Sequence, residues 1–186
     1  LGTPSAHGAV VAVNSGEVLQ SAIDSANSGD ELVLADGVYN TAIITNKSLS
    51  LRSISGTAQI HSIKFSGATQ GSLVKDIRVT NDFKSNQSKV RFYNCEISGD
   101  VNATNSIVEL IETSVAGVAN FIGTRFNGGL TNTLLFRATI NQKLTCETAR
   151  SNISYCRIRY AKMAGHAEIT GNEFNGRELI GIGIDI

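Results

Sequence analysis

Tryptophan is absent from this chain of 186 residues, and aromatic residues of all kinds make up only 6% of it. Sugar-binding grooves usually stack aromatic rings against the sugar, so the composition does not point to a high-affinity carbohydrate site. Cysteine is also scarce, and because the count of three is odd, at least one thiol is free or bonded between molecules. A disulfide framework is therefore not expected.

The chain also carries no net charge. Sixteen basic residues balance sixteen acidic ones, which leaves no bulk electrostatic reason to bind nucleic acid or an anionic membrane. No apolar run approaches the roughly twenty residues that span a bilayer. The first residues, LGTPSAHG, lack the basic region and apolar core of a signal peptide, although such a peptide is removed from a mature protein. The sequence thus predicts no nucleic-acid partner and no membrane partner.

What the chain does have is a degenerate repeat of roughly sixteen residues between Ile60 and Ile180. Each repeat contains an apolar residue, four mostly polar or small residues and a second apolar residue. The first apolar column contains Ile60, Val74, Phe92, Leu110, Phe121, Leu135, Ile153 and Ile169. The second, five positions later, contains Phe65, Val79, Ile97, Val115, Phe126, Ile140, Ile158 and Phe174. A third apolar residue follows in six repeats, namely Val101, Val118, Leu130, Leu144, Met163 and Leu179.

Repeats this short cannot each bury a core, so they must stack on one another. The spacing of the second column varies from 11 to 18 residues, which favours short strands joined by turns of different length over an array of helical hairpins. Alternation places charged residues such as Arg91 and Glu109 outside, while small residues such as Cys95 and Thr113 fit a tight inner corner. With one proline and frequent Asn and Gly, the pattern predicts an all-β, single-stranded, right-handed parallel β-helix.

The first forty residues differ from the repeat and predict a short helical cap. Asn14 followed by Glu17 is typical of a capping box, and apolar residues from Val18 to Ala26 recur at helical spacing up to Gly29. Such a helix covers the open end of a stacked core. We therefore expect one domain over residues 1–186, with the cap and first strand at 1–40 and the stacked coils at 41–186.

The segment EVLQSAIDSANSGDELVLADGVYN, from Glu17 to Asn40, is followed by SLSLR at Ser48–Arg52. Together they resemble the N-terminal region of the pectate-lyase-like right-handed parallel β-helix superfamily. The run LVLADGVY is most similar to polysaccharide lyases of the alginate lyase and chondroitinase B type, and SLVKDIRVTN at Ser72–Asn81 resembles the strand pattern of the superfamily. At the level of family the likeness covers about Ala9 to Asn81.

This resemblance implies a secreted or extracellular protein that interacts with polysaccharide. It implies either a minimal uronate lyase acting by β-elimination or a degenerate one that has lost catalysis. The alternative is a non-catalytic structural or assembly module, such as a phage appendage associated with the virion, an adhesin or a scaffold. The C-terminal run IGIGIDI at Ile180–Ile186 supports an assembly role, because an apolar strand at the end of a solenoid is an edge that can pair with another copy.

A uronate lyase needs a base to take the proton beside a carboxylate, and positive charge to hold that carboxylate. In the lyases that the chain resembles, a lysine, an arginine and calcium do this work. The densest cationic and aromatic region supplies the predicted substrate-binding residues: Arg125, Arg157, Arg159, Tyr160 and Lys162. The catalytic candidates are Arg125, Arg157 and His166, with the two arginines expected two coils apart in one outward column. The alternative is that these outward charges serve solubility and pair between coils.

Metal motifs of the HxH, HExxH, CxxC and DxDxDG types are missing, so no dedicated metal site is predicted. A calcium site built from scattered carboxylates stays open, with Asp76 and Asp82 as the nearest acidic pair in one repeat. The cysteines are interpreted as small buried residues, with Cys95 and Cys156 in one column four coils apart and a Cys146–Cys156 bridge as the alternative. Polar residues after the second column predict an inward Asn or Ser ladder at one corner: Asn127, Asn141 and Asn175, with Ser66, Thr80 and Ser98 in other coils.

Overall fold

Short strands follow one another along the chain, and most pair in parallel with strands one coil earlier and one coil later. The computed structural model describes residues 8–123, 125–126, 129–130, 132–174 and 179–185, and among these the side chains of 125–132, 148–150, 165–166 and 179–185 are not described. The fold is a right-handed parallel β-helix of about eight turns, as the repeat predicts. The elements are β1 (Val10–Val13), α1 (Leu19–Ser25), β2 (Glu31–Leu34), β3 (Val38–Tyr39), β4 (Ala42–Thr45), β5 (Ser50–Ser53), β6 (Gln59–Ile60), β7 (Ile63–Ser66), β8 (Ser72–Lys75), β9 (Arg78–Val79), β10 (Phe83–Asn86), β11 (Lys89–Tyr93), β12 (Glu96–Ile97), β13 (Val101–Thr104), β14 (Ile107–Ile111), β15 (Ser114–Val115), β16 (Ala119–Gly123), β17 (Arg125–Phe126), β18 (Gly129–Leu130), β19 (Asn132–Phe136), β20 (Thr139–Ser154), β21 (Arg157–Thr170), β22 (Glu173–Phe174) and β23 (Leu179–Asp185).

Each coil has three faces, which we number in the order in which the chain meets them. Face 1 begins with β1, β2, β5 and β8, face 2 is a stack of two-residue rungs that begins with β3, β6 and β9, and face 3 begins with β4, β7 and β10. The long strands β20 and β21 run through all three faces with register shifts at the bends. Consecutive rungs of one face are about 4.8 Å apart, as in any parallel sheet.

The core is the inside of this coil. Along face 3, for example, Phe83 and Ser85 point inward and are buried, whereas Lys84 and Asn86 between and after them are exposed. Most strands pair with strands of the same face in the coils before and after them. Inward side chains of one face therefore stack on one another along the axis. Three inward phenylalanines form an aromatic cluster that joins two faces: the ring centroid of Phe83 lies 6.4 Å from that of Phe65 in the preceding coil and 4.6 Å from that of Phe92 on face 1, both in edge-to-face geometry.

The N-terminal helix is present but starts later than predicted. Asn14 N–H donates to Glu17 Oε2 at 2.8 Å, as in a capping box, yet Asn14 and Glu17 form a turn before the helix, whose N-cap residue is Val18. The helix does cover the end of the coil. The side-chain amide of Gln20 makes both hydrogen bonds to the backbone of Ile43 at 2.9 Å, so it stands in for a strand beside β4.

The apolar columns are confirmed for most coils, and seven of their predicted members are wrong. In three consecutive coils the second column is in register as predicted, at Val79, Ile97 and Val115. Ile60 belongs to this column and not to the first, because it pairs with Val79. The members that fall on other faces or outside the columns are Phe65, Val118, Phe121, Phe126, Leu130 and Met163.

Two of these errors, at Phe126 and Leu130, come from an insertion whose apolar spacing resembles that of a repeat. β17 and β18 form a separate antiparallel hairpin, in which Arg125 pairs with Leu130. The next rung of face 2 after Val115 is therefore Ile140, not Phe126. Arg125 and Arg157 do not share an outward column, because the rung that pairs with Arg157 is Thr139.

All three cysteines are buried and none forms a disulfide, which confirms the simpler interpretation and excludes the Cys146–Cys156 bridge. Cys95 and Cys156 do share a column, at three coils' separation rather than four, because the hairpin is not a coil. Burial raises the pKa of the Cys95 thiol to about 11. These residues are small corner fillers.

The predicted inward Asn or Ser ladder is wrong at Asn141, which is exposed; Ser66, Thr80 and Ser98 are half-buried, and Asn127 and Asn175 lie outside the described residues. The inner corner between faces 3 and 1 holds serines instead. Ser85 Oγ donates to Ser106 Oγ at 2.9 Å, and Ser106 Oγ accepts from the backbone N–H of Ser88 at 3.3 Å. No helix among the described residues is long and apolar enough to cross a membrane.

Candidate functional site

A left-handed residue ends each rung of face 1 in six consecutive coils, and this column shapes the outer surface at the corner between faces 1 and 2. Only glycine adopts positive φ without cost, so five non-glycine residues in this position are unusual. The column, which we call the corner column, contains Asp76 (φ 56°), Asn94 (50°), Glu112 (51°), Arg137 (50°), Tyr155 (54°) and Gly171 (63°).

In five of the six coils the corner-column residue is followed by a buried residue and then by the outward residue of face 2; in the sixth, the residue after Gly171 is the half-buried Asn172. In one coil these are Asp76, Ile77 and Arg78, and in the next they are Asn94, Cys95 and Glu96. Because the middle side chain points into the core, it presents only backbone to solvent. The two outward side chains stand on either side of that backbone, and stacking of coils turns this arrangement into a groove.

The groove has a volume of about 570 Å³ and crosses five successive coils, so it runs along the axis of the β-helix. One wall is the corner column and the other is the outward column of face 2. The lining residues are Gly56, Thr57, Gln59, Asp76, Ile77, Arg78, Asn94, Cys95, Glu96, Glu112, Thr113, Ser114, Arg137 and Thr139.

Each wall holds an ion pair between neighbouring coils. Arg78 Nη2 lies 3.2 Å from Glu96 Oε1 in the next coil, and Arg137 Nη1 lies 3.3 Å from Glu112 Oε1. Asn94 Nδ2 donates to Asp76 Oδ1 at 2.7 Å. The ion-paired side chains are between about a third and two thirds exposed, so these pairs add little to stability and keep donors and acceptors open to a ligand.

One coil beyond the groove lining, the same two columns continue with different chemistry. Tyr155 follows Arg137 in the corner column, and Arg157 follows Thr139 on face 2. Arg157 Nε donates to Glu173 Oε2 at 3.0 Å, in the same inter-coil pattern. The predicted residue Arg157 thus lies in line with the groove wall at its C-terminal end.

The other predicted site residues do not all share this surface. The guanidinium carbon of Arg159 lies 5.4 Å from the ring centroid of Tyr160, just after the face 2 rung. Lys162 is on face 3, where its Nζ lies 2.8 Å from Glu147 Oε1. The side chains of Arg125 and His166 lie outside the described part of the structure. A role for these residues in binding or catalysis stays a prediction.

Sequence reasoning missed the groove itself, although a signal for it exists. Three positions before each second-column residue stands a polar or charged residue that directly precedes the small inner-corner residue: Asp76, Asn94, Glu112, Arg137 and Tyr155. Outward charges do pair between coils as the alternative interpretation expected, as in Arg52 with Glu31 and Arg91 with Glu109.

The donor set of the groove does not fit calcium. Among the described residues, no group of three or more His, Cys, Asp or Glu is placed to hold a metal ion. Glu96 and Glu112 already face arginines. Asp76 lies at the corner before face 2, whereas Asp82 lies at the corner after it and accepts the backbone N–H of Asp100 at 3.0 Å. These two aspartates therefore do not form one site.

The fold and this surface define the class of the protein: a right-handed parallel β-helix with a polar axial groove. The chain matches no protein-family profile, no curated protein and no solved structure. A function is therefore inferred from the groove.

Proposed function

We propose that this protein is a secreted polysaccharide-binding β-helix, and that the polymer lies lengthwise in the groove. The observation that carries the proposal is the length and polarity of the groove, which crosses five coils and is lined on both sides by charged, amide and hydroxyl side chains. A linear polymer with a repeating unit can meet a surface that itself repeats about every 4.8 Å.

The chemistry of the walls supports a sugar polymer with hydroxyl and carboxylate groups. Guanidinium groups such as Arg78 and Arg137 donate several hydrogen bonds in a fixed plane and suit carboxylates. Carboxylates such as Glu96 and Glu112 accept hydrogen bonds from sugar hydroxyls. Since the groove holds both kinds of group, neither an anionic nor a neutral stretch of polymer is repelled along its whole length.

The proposal includes membership of the pectate-lyase-like superfamily, as a degenerate lyase that binds without cleaving. The described cations support binding more than proton transfer. Lys162 Nζ lies 2.8 Å from Glu147 Oε1 on face 3, and the described groove lining contains no lysine that could take a proton from a sugar ring. Arg157 is likewise paired with Glu173.

Removing one groove cation is expected to weaken binding. The Arg78→Ala variant should bind about tenfold less tightly to whichever of alginate, pectate, chondroitin or dermatan the wild-type protein binds, because a charge-assisted contact is lost. Affinity electrophoresis or calorimetry, with and without calcium, measures this. The matched control is Arg52→Ala, since Arg52 pairs with Glu31 in the same inter-coil fashion on face 1, away from the groove.

Equal loss in both variants would place binding elsewhere, and no binding to any of the four polymers would overturn the proposal. The same mixtures report on catalysis through the ultraviolet absorbance of an unsaturated product. A rise that disappears in Arg157→Ala or Arg125→Ala would show that the protein is a uronate lyase and not a degenerate one.

One observation favours assembly as a second function. β23 pairs in parallel with β21, beginning with Leu179 opposite Ala161. No described strand pairs with the other edge of β23. Unpaired strand edges recruit further strands. We propose that Ile180–Ile186 is a contact between copies of the chain.

This second function predicts reversible self-association. In sedimentation velocity the mass should rise with concentration from 19.7 kDa to at least that of a dimer. The Ile180→Lys/Ile182→Lys variant should stay monomeric, because charges on an edge oppose pairing. Those positions align with Lys162 and Ala164 of β21. A wild-type protein that stays monomeric at every concentration would contradict the contact.

A further inference from the structure

We infer that Tyr155, together with Phe136 and Arg137 of the preceding coil, forms a ring-stacking subsite for the apolar face of one sugar residue at the C-terminal end of the groove. The inference rests on the proposed binding of polysaccharide in that groove. It adds a specific subsite and an apolar component to a surface that is otherwise polar.

Tyr155 is the most exposed aromatic side chain among the described residues, at 62%. It directly continues the corner column, whose previous member Arg137 lines the groove. On the opposite wall the same coil supplies Arg157, with the buried Cys156 between them. A polymer leaving the groove in line with the axis therefore passes over the tyrosine ring.

The ring is held in place from two sides. It meets Phe136 edge to face, with centroids 6.0 Å apart and an interplanar angle of 86°. On the next coil a Cβ at Gly171 would come within 3.0 Å of Tyr155 Cδ1 and Cε1, so the ring lies directly against the glycine backbone. Arg137 covers Phe136, with its guanidinium carbon 5.2 Å from the ring centroid. A positioned ring loses little conformational entropy when a ligand stacks on it.

The backbone gives a second and independent reason. Tyr155 has φ 54°, a conformation that a bulky residue adopts only with strain, whereas the equivalent positions in other coils include Asn94 and Gly171, which suit it. The fold therefore does not need an aromatic residue here. Strain kept at an exposed position on a candidate binding surface indicates a role for the side chain.

Replacing Tyr155 with asparagine separates the effect of this residue on stability from its effect on polymer binding. The variant should raise the Tm by about 2 °C, because asparagine tolerates positive φ. It should bind the polymer that the wild-type protein retains, among alginate, pectate, chondroitin and dermatan, about tenfold less tightly because the stacking contact is lost. Tyr155→Phe, which keeps the ring, should bind as the wild type does. The control is Tyr93→Asn, at an exposed tyrosine on a strand of face 1.

Tyrosine fluorescence gives a direct readout, since the chain has four tyrosines and no tryptophan. Addition of the polymer should change the emission of the wild type and of Tyr93→Asn but not that of Tyr155→Asn. Unchanged affinity in Tyr155→Asn, or an equal loss in Tyr93→Asn, would overturn the subsite while Arg78→Ala still tests the groove. Absence of binding by the wild type to all four polymers would overturn the proposed function and the subsite with it.

Discussion

Replacing Phe83 with alanine is expected to destabilise the protein by about 4 kcal/mol, because it leaves a cavity in the middle of the aromatic cluster. Phe83 is fully buried and contacts Phe65 on one side and Phe92 on the other, with centroids 6.4 and 4.6 Å away. The backbone rungs above and below are hydrogen-bonded through the whole of β10, so they cannot move inward to fill the space. Most of the cavity should therefore remain.

Urea denaturation followed by circular dichroism measures this loss. The control is Tyr93→Ala, because Tyr93 belongs to the neighbouring strand β11 but is partly exposed and points away from the core. It should change stability by less than about 1 kcal/mol. If Phe83→Ala lowers the free energy of unfolding no more than Tyr93→Ala does, the aromatic cluster does not hold the coils together as the structure indicates.

The sequence predicted the fold because burial alternates along most strands, and this alternation can be read without knowing which residues are in contact. It also predicted the register of the second column from Val79 to Ile97 to Val115, and again from Ile140 to Ile158 to Phe174. Register failed at Phe126, where the β17–β18 hairpin carries an apolar residue at a plausible spacing. An insertion cannot be told from a short coil by apolar spacing alone.

The candidate site was predictable only in part. Arg157 was found because it is a cation on an outward face 2 position, and it lies in line with the groove wall. The corner column was not found, because its defining property is a left-handed backbone and not a residue type. Asp76, Arg137 and Tyr155 share that conformation without sharing chemistry, so the column is visible only when the coils are stacked.

The corner between faces 2 and 3 gives the second large effect, because glycines stack there in successive coils. Gly117 N–H donates to Gly99 O at 3.2 Å, and Gly99 N–H donates to Asn81 O at 3.1 Å. Beside them Asp100 Oδ1 accepts the backbone N–H of Val118 at 2.8 Å. Backbone and carboxylate thus fill the corner from one coil to the next and leave no room for a side chain.

Gly117→Ala is expected to destabilise the protein by about 3 kcal/mol, since the added Cβ would lie 2.5 Å from Gly99 O and 2.7 Å from Gly99 C. Those are backbone atoms of the coil beneath, so relief requires separating two coils and stretching the hydrogen bond between them. The comparison is Gly16→Ala, where nothing lies within 4 Å of an added Cβ and φ is +87°. Its cost is conformational only, about 1.5 kcal/mol. Equal losses in the two variants, measured by urea denaturation, would show that the close stacking of Gly117 on Gly99 does not set the need for glycine at this corner.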